Sequence, residues 1–196
     1  MQYKEIKLRA VEPEDLENLY EWENNSQYWI ISNTVTPFSK YTLKRYIENS
    51  HKNVYETGQL RLMIDHIKSK VTIGTIDIFD FDPFHKRAGL GILIADDEYR
   101  RKGYASMALK CLIDYCFNTL LLHQLYCNIL DNNCDSMDLF RKLGFKEVGL
   151  KKDWINTNNG YISEHLFQLI KEEEVESVKS RKSSKPKILK VGHPRK

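Results

Sequence analysis

Apolar and polar residues alternate over residues 3–9 (YKEIKLR), which predicts a first strand. Pro13, Glu14 and Asp15 follow, with proline in the first turn and acids at the positive end of a helix dipole, so a helix is predicted from there to about Asn24, where NNSQ breaks it. Pro37, Phe38 and Ser39 mark a second helix start, with Ser39 as N-cap and the helix running to about Lys52. Alternation returns over residues 59–66, 71–81 and 86–95, separated by turns at 68–70 and at Asp82–Pro83–Phe84, and predicts an antiparallel meander. Residues 103–118 then place Met107, Ala108, Cys111, Leu112, Tyr115 and Cys116 at helical spacing on one face. A strand over 124–130, a helix over 132–143 closed by Gly144, and strands over 146–154 and 161–170 about an Asn159–Gly160 turn complete the pattern. The fold class that follows is α+β in layers, a mixed and mostly antiparallel sheet flanked by helices.

The pattern stops near residue 172, and charge changes with it. The chain of 196 residues has a net charge of +3, but the last 18 residues hold eight basic groups and no acid, leaving 22 basic and 27 acidic residues in the first 178. The expected organisation is one domain over residues 1–171 and a basic, disordered tail over 172–196. The tail could at most make weak, salt-dependent contact with nucleic acid, because His193 is its only ring and base stacking is absent. No apolar run approaches a membrane span, and the start of the chain lacks a signal-peptide core, so the expected location is the cytoplasm with no membrane partner. Cys111, Cys116, Cys127 and Cys134 lack CxxC spacing and read as free thiols, and no metal site is expected from them or from the six histidines.

Chemistry concentrates in LGILIADDEYRRKGYAS, residues 90–106. A strand ends in acids, a loop with Arg100, Arg101, Lys102 and Gly103 follows, and a helix begins. The first amides of a helix lack internal partners and the dipole adds positive potential there, so this is an anion site suited to a pyrophosphate. Three cations at the positive end of a dipole are unfavourable without such a ligand. Neither GxxxxGK[ST] nor GxGxxG is present.

RRKGYA resembles the [RQ]-x-x-G-x-[GA] motif of the GNAT superfamily of acetyl-CoA-dependent N-acetyltransferases, and NNCDSMDLFRKLGF, residues 132–145, resembles that family's N-x(6)-[YF]-x-x-x-G-F segment. Residues 3–170 fall within the resemblance, and the subgroup is similar to diamine/spermidine and ribosomal-protein N-terminal acetyltransferases. What the resemblance implies is a cleft between splayed central strands that takes acetyl-CoA as co-substrate, with no metal. Leu93, Ile94 and Ala95 would meet the pantetheine arm and acetyl carbonyl. Arg100, Arg101, Lys102, Gly103, Tyr104, Ala105 and Ser106 would hold the pyrophosphate, and Asn133 and Phe140 would complete the cofactor site. The amine would attack the thioester directly, with a backbone amide near Ile94 or Ala95 stabilising the oxyanion.

The family's proton-donating tyrosine is Phe140 here, and a carboxylate found in some relatives is Asn128. Tyr104, Tyr126 or Tyr99 could substitute for the missing hydroxyl, and Asp77 or Asp80 could act as base through water; alternatively the thiolate leaves unaided. His85 and His123 read as surface or capping residues. Tyr28, Trp29, Phe38 and Tyr41 could line the amine pocket or close the core. Tyr28, Trp29, Phe38 and Asp80 are the expected acceptor contacts, with Glu21, Glu23, Glu48 and Asp82 as further acids.

The leading expectation is acetyl transfer to a small diamine or polyamine by a monomer or homodimer. The alternatives are N-terminal or lysine acetylation of a protein such as a ribosomal protein, and a non-catalytic acyl-CoA-binding module, which Phe140 and Asn128 favour.

Overall fold

Residues 1–172, those the computed structural model describes, form an eight-stranded sheet with helices on both faces. The first predicted strand is instead a hairpin: β1 (Gln2–Tyr3) and β2 (Ile6–Ala10) pair across Lys4, which takes φ 52. No glycine, proline or asparagine announces that turn. After a 3-10 turn at Pro13–Asp15 comes α1 (Leu16–Glu23), and then a helix the pattern did not predict, α2 (Ser26–Ser32). The NNSQ stretch is its start rather than a break, because the Asn25 side chain accepts the Gln27 amide at 3.0 Å and caps the helix. Ser39 caps α3 (Lys40–Glu48) as expected, and α4 (Val54–Thr57), also unpredicted, is capped by Asn53.

The meander is observed as β3 (Leu60–His66), β4 (Val71–Asp82) and β5 (Arg87–Ile94). Then follow α5 (Tyr104–Asn118), β6 (Gln124–Leu130), α6 (Cys134–Lys142), β7 (Lys146–Thr157) and β8 (Gly160–Ile170). The sheet order is β1-β2-β3-β4-β5-β6-β8-β7, and β5 with β6 is its parallel pair. The last hairpin turns one residue earlier than predicted: Thr157 pairs with Gly160, so Asn158 and Asn159 form the connection, and Gly160 at φ 111 takes up the bend. Residues 173–196, most of the expected tail, lie outside the described residues.

Strand alternation divides the core. Leu62, Ile64, Ile76, Ile78, Leu90, Leu125 and Phe167 face α5 and α6 and form the main apolar cluster. Met63 turns to the other face and packs with Val11, Leu19, Leu43 and Ile47 under α1 and α3. That second face is polar around its small core. Arg9 donates two bonds to the buried Asp15 and one to Asp65, tying the start of α1 to β2 and β3. Beyond α6, His165 bridges Asp131 and Glu147 at 2.7 and 2.8 Å, and both carboxylates raise its pKa. Among the described residues no helix is long and apolar enough to cross a membrane.

Strands β4 and β5 approach so closely that a Cβ on Gly74 would lie 1.9 Å from the Leu93 carbonyl oxygen. Gly74→Ala must therefore move backbone, and a stability loss of about 2 kcal/mol is expected, read as a fall in the thermal midpoint. Gly58→Ala meets nothing within 4 Å and is strained only by its φ of 69, so it should cost less; equal losses would refute the account. For His165, the raised folded pKa stabilises fully below its ordinary value and is lost as pH rises through the folded one. His165→Gln should therefore lower the midpoint more at pH 5.5 than at pH 9.

Candidate active site

β5 and β6 pair only at Arg87–Gln124, Ala88–Leu125 and Gly89–Tyr126, and from there they diverge. The result is a wedge, closed at Gly89 and Tyr126 and open toward Ile94 and Leu130. On β5 the Ala95 amide donates to Ile73 in β4 at 2.9 Å, and Leu93 points its carbonyl at Gly74. Bonding direction alternates along an antiparallel pair, so Leu90, Ile92 and Ile94 turn their N–H and C=O groups into the wedge. Of the three expected residues, Leu93 and Ala95 thus direct amides to β4, and Ile94 faces the opening. Leu90 and Ile92 are the cleft-facing groups that sequence reasoning missed, although the alternation rule applied to the meander could have found them.

Beyond β5 the chain curls through two left-handed residues, Arg101 at φ 58 and Gly103 at φ 85, and enters α5. A non-glycine residue at positive φ costs about 1 kcal/mol, and the curl gathers the amides before Tyr104, Ala105 and Ser106 into a concave anion cradle at the helix N-terminus. The cationic side chains are spread around it. Arg101 pairs with Asp135 on α6 at 3.0 Å, and Lys102 stands 5.9 Å from the Tyr99 ring centroid. Arg100 turns back to the strand and donates from Nε to the Ile94 carbonyl at 2.8 Å. Tyr104 turns away from the wedge: its hydroxyl lies 3.3 Å from Nε2 of buried His66, whose Nδ1 meets Ser69, which in turn meets Tyr99.

The helices α5 and α6 cover one face of the wedge, and the opposite face carries the polar side chains of β4 and β6. Asp77, expected as a base, is held by Arg61 through Nε at 2.7 Å and Nη2 at 3.2 Å, and the same guanidinium binds Glu23. One cation thus serves two half-buried carboxylates and leaves a single net negative charge beside Gly91. The Tyr126 hydroxyl donates to Asp80 at 2.9 Å, and burial, followed by this bond, raises its pKa. Asp80 is exposed in the β4 bulge at φ 48, and the Phe79 ring lies edge-on to Tyr126 at 5.8 Å, crossing over Gly89. The Asn128 side chain accepts from Lys151, which also pairs with buried Glu164 at 2.8 Å.

Phe140 is buried against Phe145, ring centroids 5.0 Å apart, and it has no hydroxyl to offer the wedge. The Asn133 side chain caps α6 by accepting the Ser136 amide. Tyr28 donates to the Ala95 carbonyl at 3.1 Å, Trp29 donates to the Glu23 carbonyl, and Phe38 packs against the second apolar cluster. Arg61 is the charge beside the wedge that the sequence pattern did not single out, because it matters only through partners far along the chain. Burial pushes the Cys116 thiol up to about 12 and raises Cys111 and Cys127 as well, so these three are poor nucleophiles at neutral pH. Among the described residues no cluster of three or more His, Cys, Asp or Glu could hold a metal ion.

The sequence model of the acetyltransferase (GNAT) domain family matches residues 5–146. Spermidine N(1)-acetyltransferase of Escherichia coli K12 is 29% identical over 147 residues, 74% of each chain. The solved structure of spermidine N-acetyltransferase from Vibrio cholerae in complex with CoA and spermine shares the fold, with a TM-score of 0.77 at 23% identity over 85% of this chain and 95% of that one. A dodecameric structure of the V. cholerae enzyme superposes with a TM-score of 0.73 at 24% identity, covering 89% of this chain and 99% of that one.

Arg61→Met would strand Glu23 and Asp77 half-buried and unpaired. The expected loss is about 3 kcal/mol, and Arg61→Lys, which keeps a positive charge, should recover part of it. Chemical denaturation of both variants checks this, and an equal deficit in the two would show that the charge on residue 61 is not what matters.

Proposed function

The chain belongs to the GNAT family of acetyltransferases and is an acetyl-CoA-dependent N-acetyltransferase; from that premise we propose that its acceptor is a primary amine of a small diamine or polyamine. The observation that carries the proposal is the wedge between β5 and β6, with an anion cradle at its mouth and an acidic face at its vertex. Supporting it are the net negative charge of the first 178 residues and the relatives named for spermidine. A distal ammonium of the acceptor would meet the charge left over from Glu23, Arg61 and Asp77.

The residues present fit the co-substrate. The cradle of residues 101–106 suits the pyrophosphate, Leu90 and Ile92 suit the amides of the pantetheine arm, and side-chain-free Gly91 leaves the acceptor face open beside them. When bound, the co-substrate supplies an activated thioester. The Ile92 amide is the donor aimed into the wedge near its vertex, and it takes the oxyanion role first assigned to Ile94 or Ala95.

Proton transfer falls to the pair at the vertex. Tyr126 accepts a proton from the bound acceptor's ammonium while passing its own to Asp80, which frees the nitrogen lone pair for attack on the thioester; no tyrosinate forms, and the exposed Asp80 returns the proton to water. The thiolate leaves without a protein donor, consistent with Phe140.

Acetyl-CoA turnover across a panel of spermidine, diamines, monoamines and peptide N-termini, read by release of free thiol, tests this reading. Spermidine and diamines should be acetylated in preference. Preference for peptide N-termini would favour a protein acceptor, and CoA binding without turnover would favour a non-catalytic module. Tyr126→Phe should lower kcat about 100-fold near pH 7, with partial recovery toward pH 9.5, where the free amine no longer needs the relay.

A further inference from the structure

Helix α2 lies across the open mouth of the wedge and touches both arms. On the β5 side, the Tyr28 hydroxyl donates to the Ala95 carbonyl at 3.1 Å and accepts from Nη2 of Arg100 at 2.6 Å. Each nitrogen of the Arg100 guanidinium then has a partner, with Nε on the Ile94 carbonyl at 2.8 Å and Nη1 on Asp97 at 2.6 Å, while its charge stands 5.5 Å from the Tyr28 ring centroid. On the β6 side, Gln27, Ile30 and Ile31 of α2 and Leu130, Asn132 and Asn133 line a cavity of about 270 Å³.

The position of this contact gives it meaning. The carbonyls of Ile94, the last residue of β5, and of Ala95 just past it lie where the strand leaves the sheet for the pyrophosphate loop. A charged donor and a hydroxyl hold them, and both donors also touch α2 or belong to it. A planar fork can serve three acceptors on three segments at once, which an ammonium on a flexible stem does not reproduce. Any adjustment of β5 and its loop to a bound nucleotide is therefore felt at Tyr28, and through it by the helix that walls the acceptor side.

We propose that Tyr28 is a positioning residue that, with Arg100, ties helix α2 to the free end of the cofactor strand, so that binding of CoA orders the acceptor wall. By linkage, acceptor contacts that order α2 then strengthen cofactor binding by the same factor. The proposal rests on the wedge being the cofactor cleft, and not on which amine is the acceptor.

The test uses the full chain with CoA alone as probe. Amide hydrogen exchange in peptides covering residues 26–32 is followed with and without saturating CoA, in the native chain and in Tyr28→Phe and Arg100→Lys. CoA should slow exchange in these peptides several-fold in the native chain. In Tyr28→Phe, which keeps the ring and loses the hydroxyl, this response should disappear while CoA affinity by calorimetry stays within about 3-fold, and the response should disappear in Arg100→Lys as well. Each chain is measured at the same interval below its own thermal midpoint, so a general loss of stability is separated from loss of the response. Equal protection in the native chain and both variants, or no protection in the native chain, overturns the proposal. Because no amine is present, failure here is distinct from failure of the polyamine reading, which the turnover panel decides.

Discussion

Two neighbouring strands that part in the middle of a sheet leave backbone donors and acceptors facing a gap, and such groups must find partners. In this chain the parting of β5 from β6 after Gly89 and Tyr126 is the constraint on which the rest depends. At the mouth, Arg100 and Tyr28 satisfy the Ile94 and Ala95 carbonyls. Nearer the vertex, the Leu90 carbonyl and the Ile92 amide and carbonyl face the gap with no strand opposite, which is what a ligand with an extended amide-bearing arm can complete. The wedge keeps its shape because its two arms are packed from one side: α5 and α6 bury Leu90, Leu125, Ile129 and Phe140 in one apolar cluster. The same helix α5 brings its N-terminus to the end of β5, so the strand proposed for the arm and the loop proposed for the phosphates form one continuous stretch of chain.

Charge is arranged in opposite senses at the two ends of the cleft. At the end proposed for the pyrophosphate, backbone amides stand with Arg101 and Lys102 around them and Arg100 turned inward as a brace. The face proposed for the acceptor carries carboxylates that are largely compensated, Glu23 and Asp77 by Arg61. Compensation is what permits their half-buried positions, since a lone buried carboxylate would be expelled or neutralised. It also lowers the charge available to an incoming amine well below what a count of acids suggests.

Much of the fold was legible in the chain. The meander, the apolar face of α5, the Ser39 cap and the loop–helix junction at Gly103 each rest on local periodicity or on a residue with one conformational use. The unpredicted pieces failed for local reasons too. Asn25 serves equally as helix breaker and helix cap, and the Lys4 turn adopts a left-handed conformation without a residue that favours it. The loop–helix junction expected to hold an anion was readable as geometry because glycine and helix start lie within a few consecutive residues. The acceptor face was not, because Arg61 lies 38 residues from Glu23 and 16 from Asp77, and Tyr126 lies 46 from Asp80.

The chain by itself determined the layered sheet, the family and the glycine-bearing entry to α5, since strand alternation, helix spacing and a short motif are properties of neighbouring residues. Only the tertiary structure decided which backbone groups face the cleft, which carboxylates remain uncompensated and which tyrosine stands at the vertex. Those depend on strand register and on which side chain from a distant segment arrives first at each charge, and a register shift of one residue would reverse every such assignment.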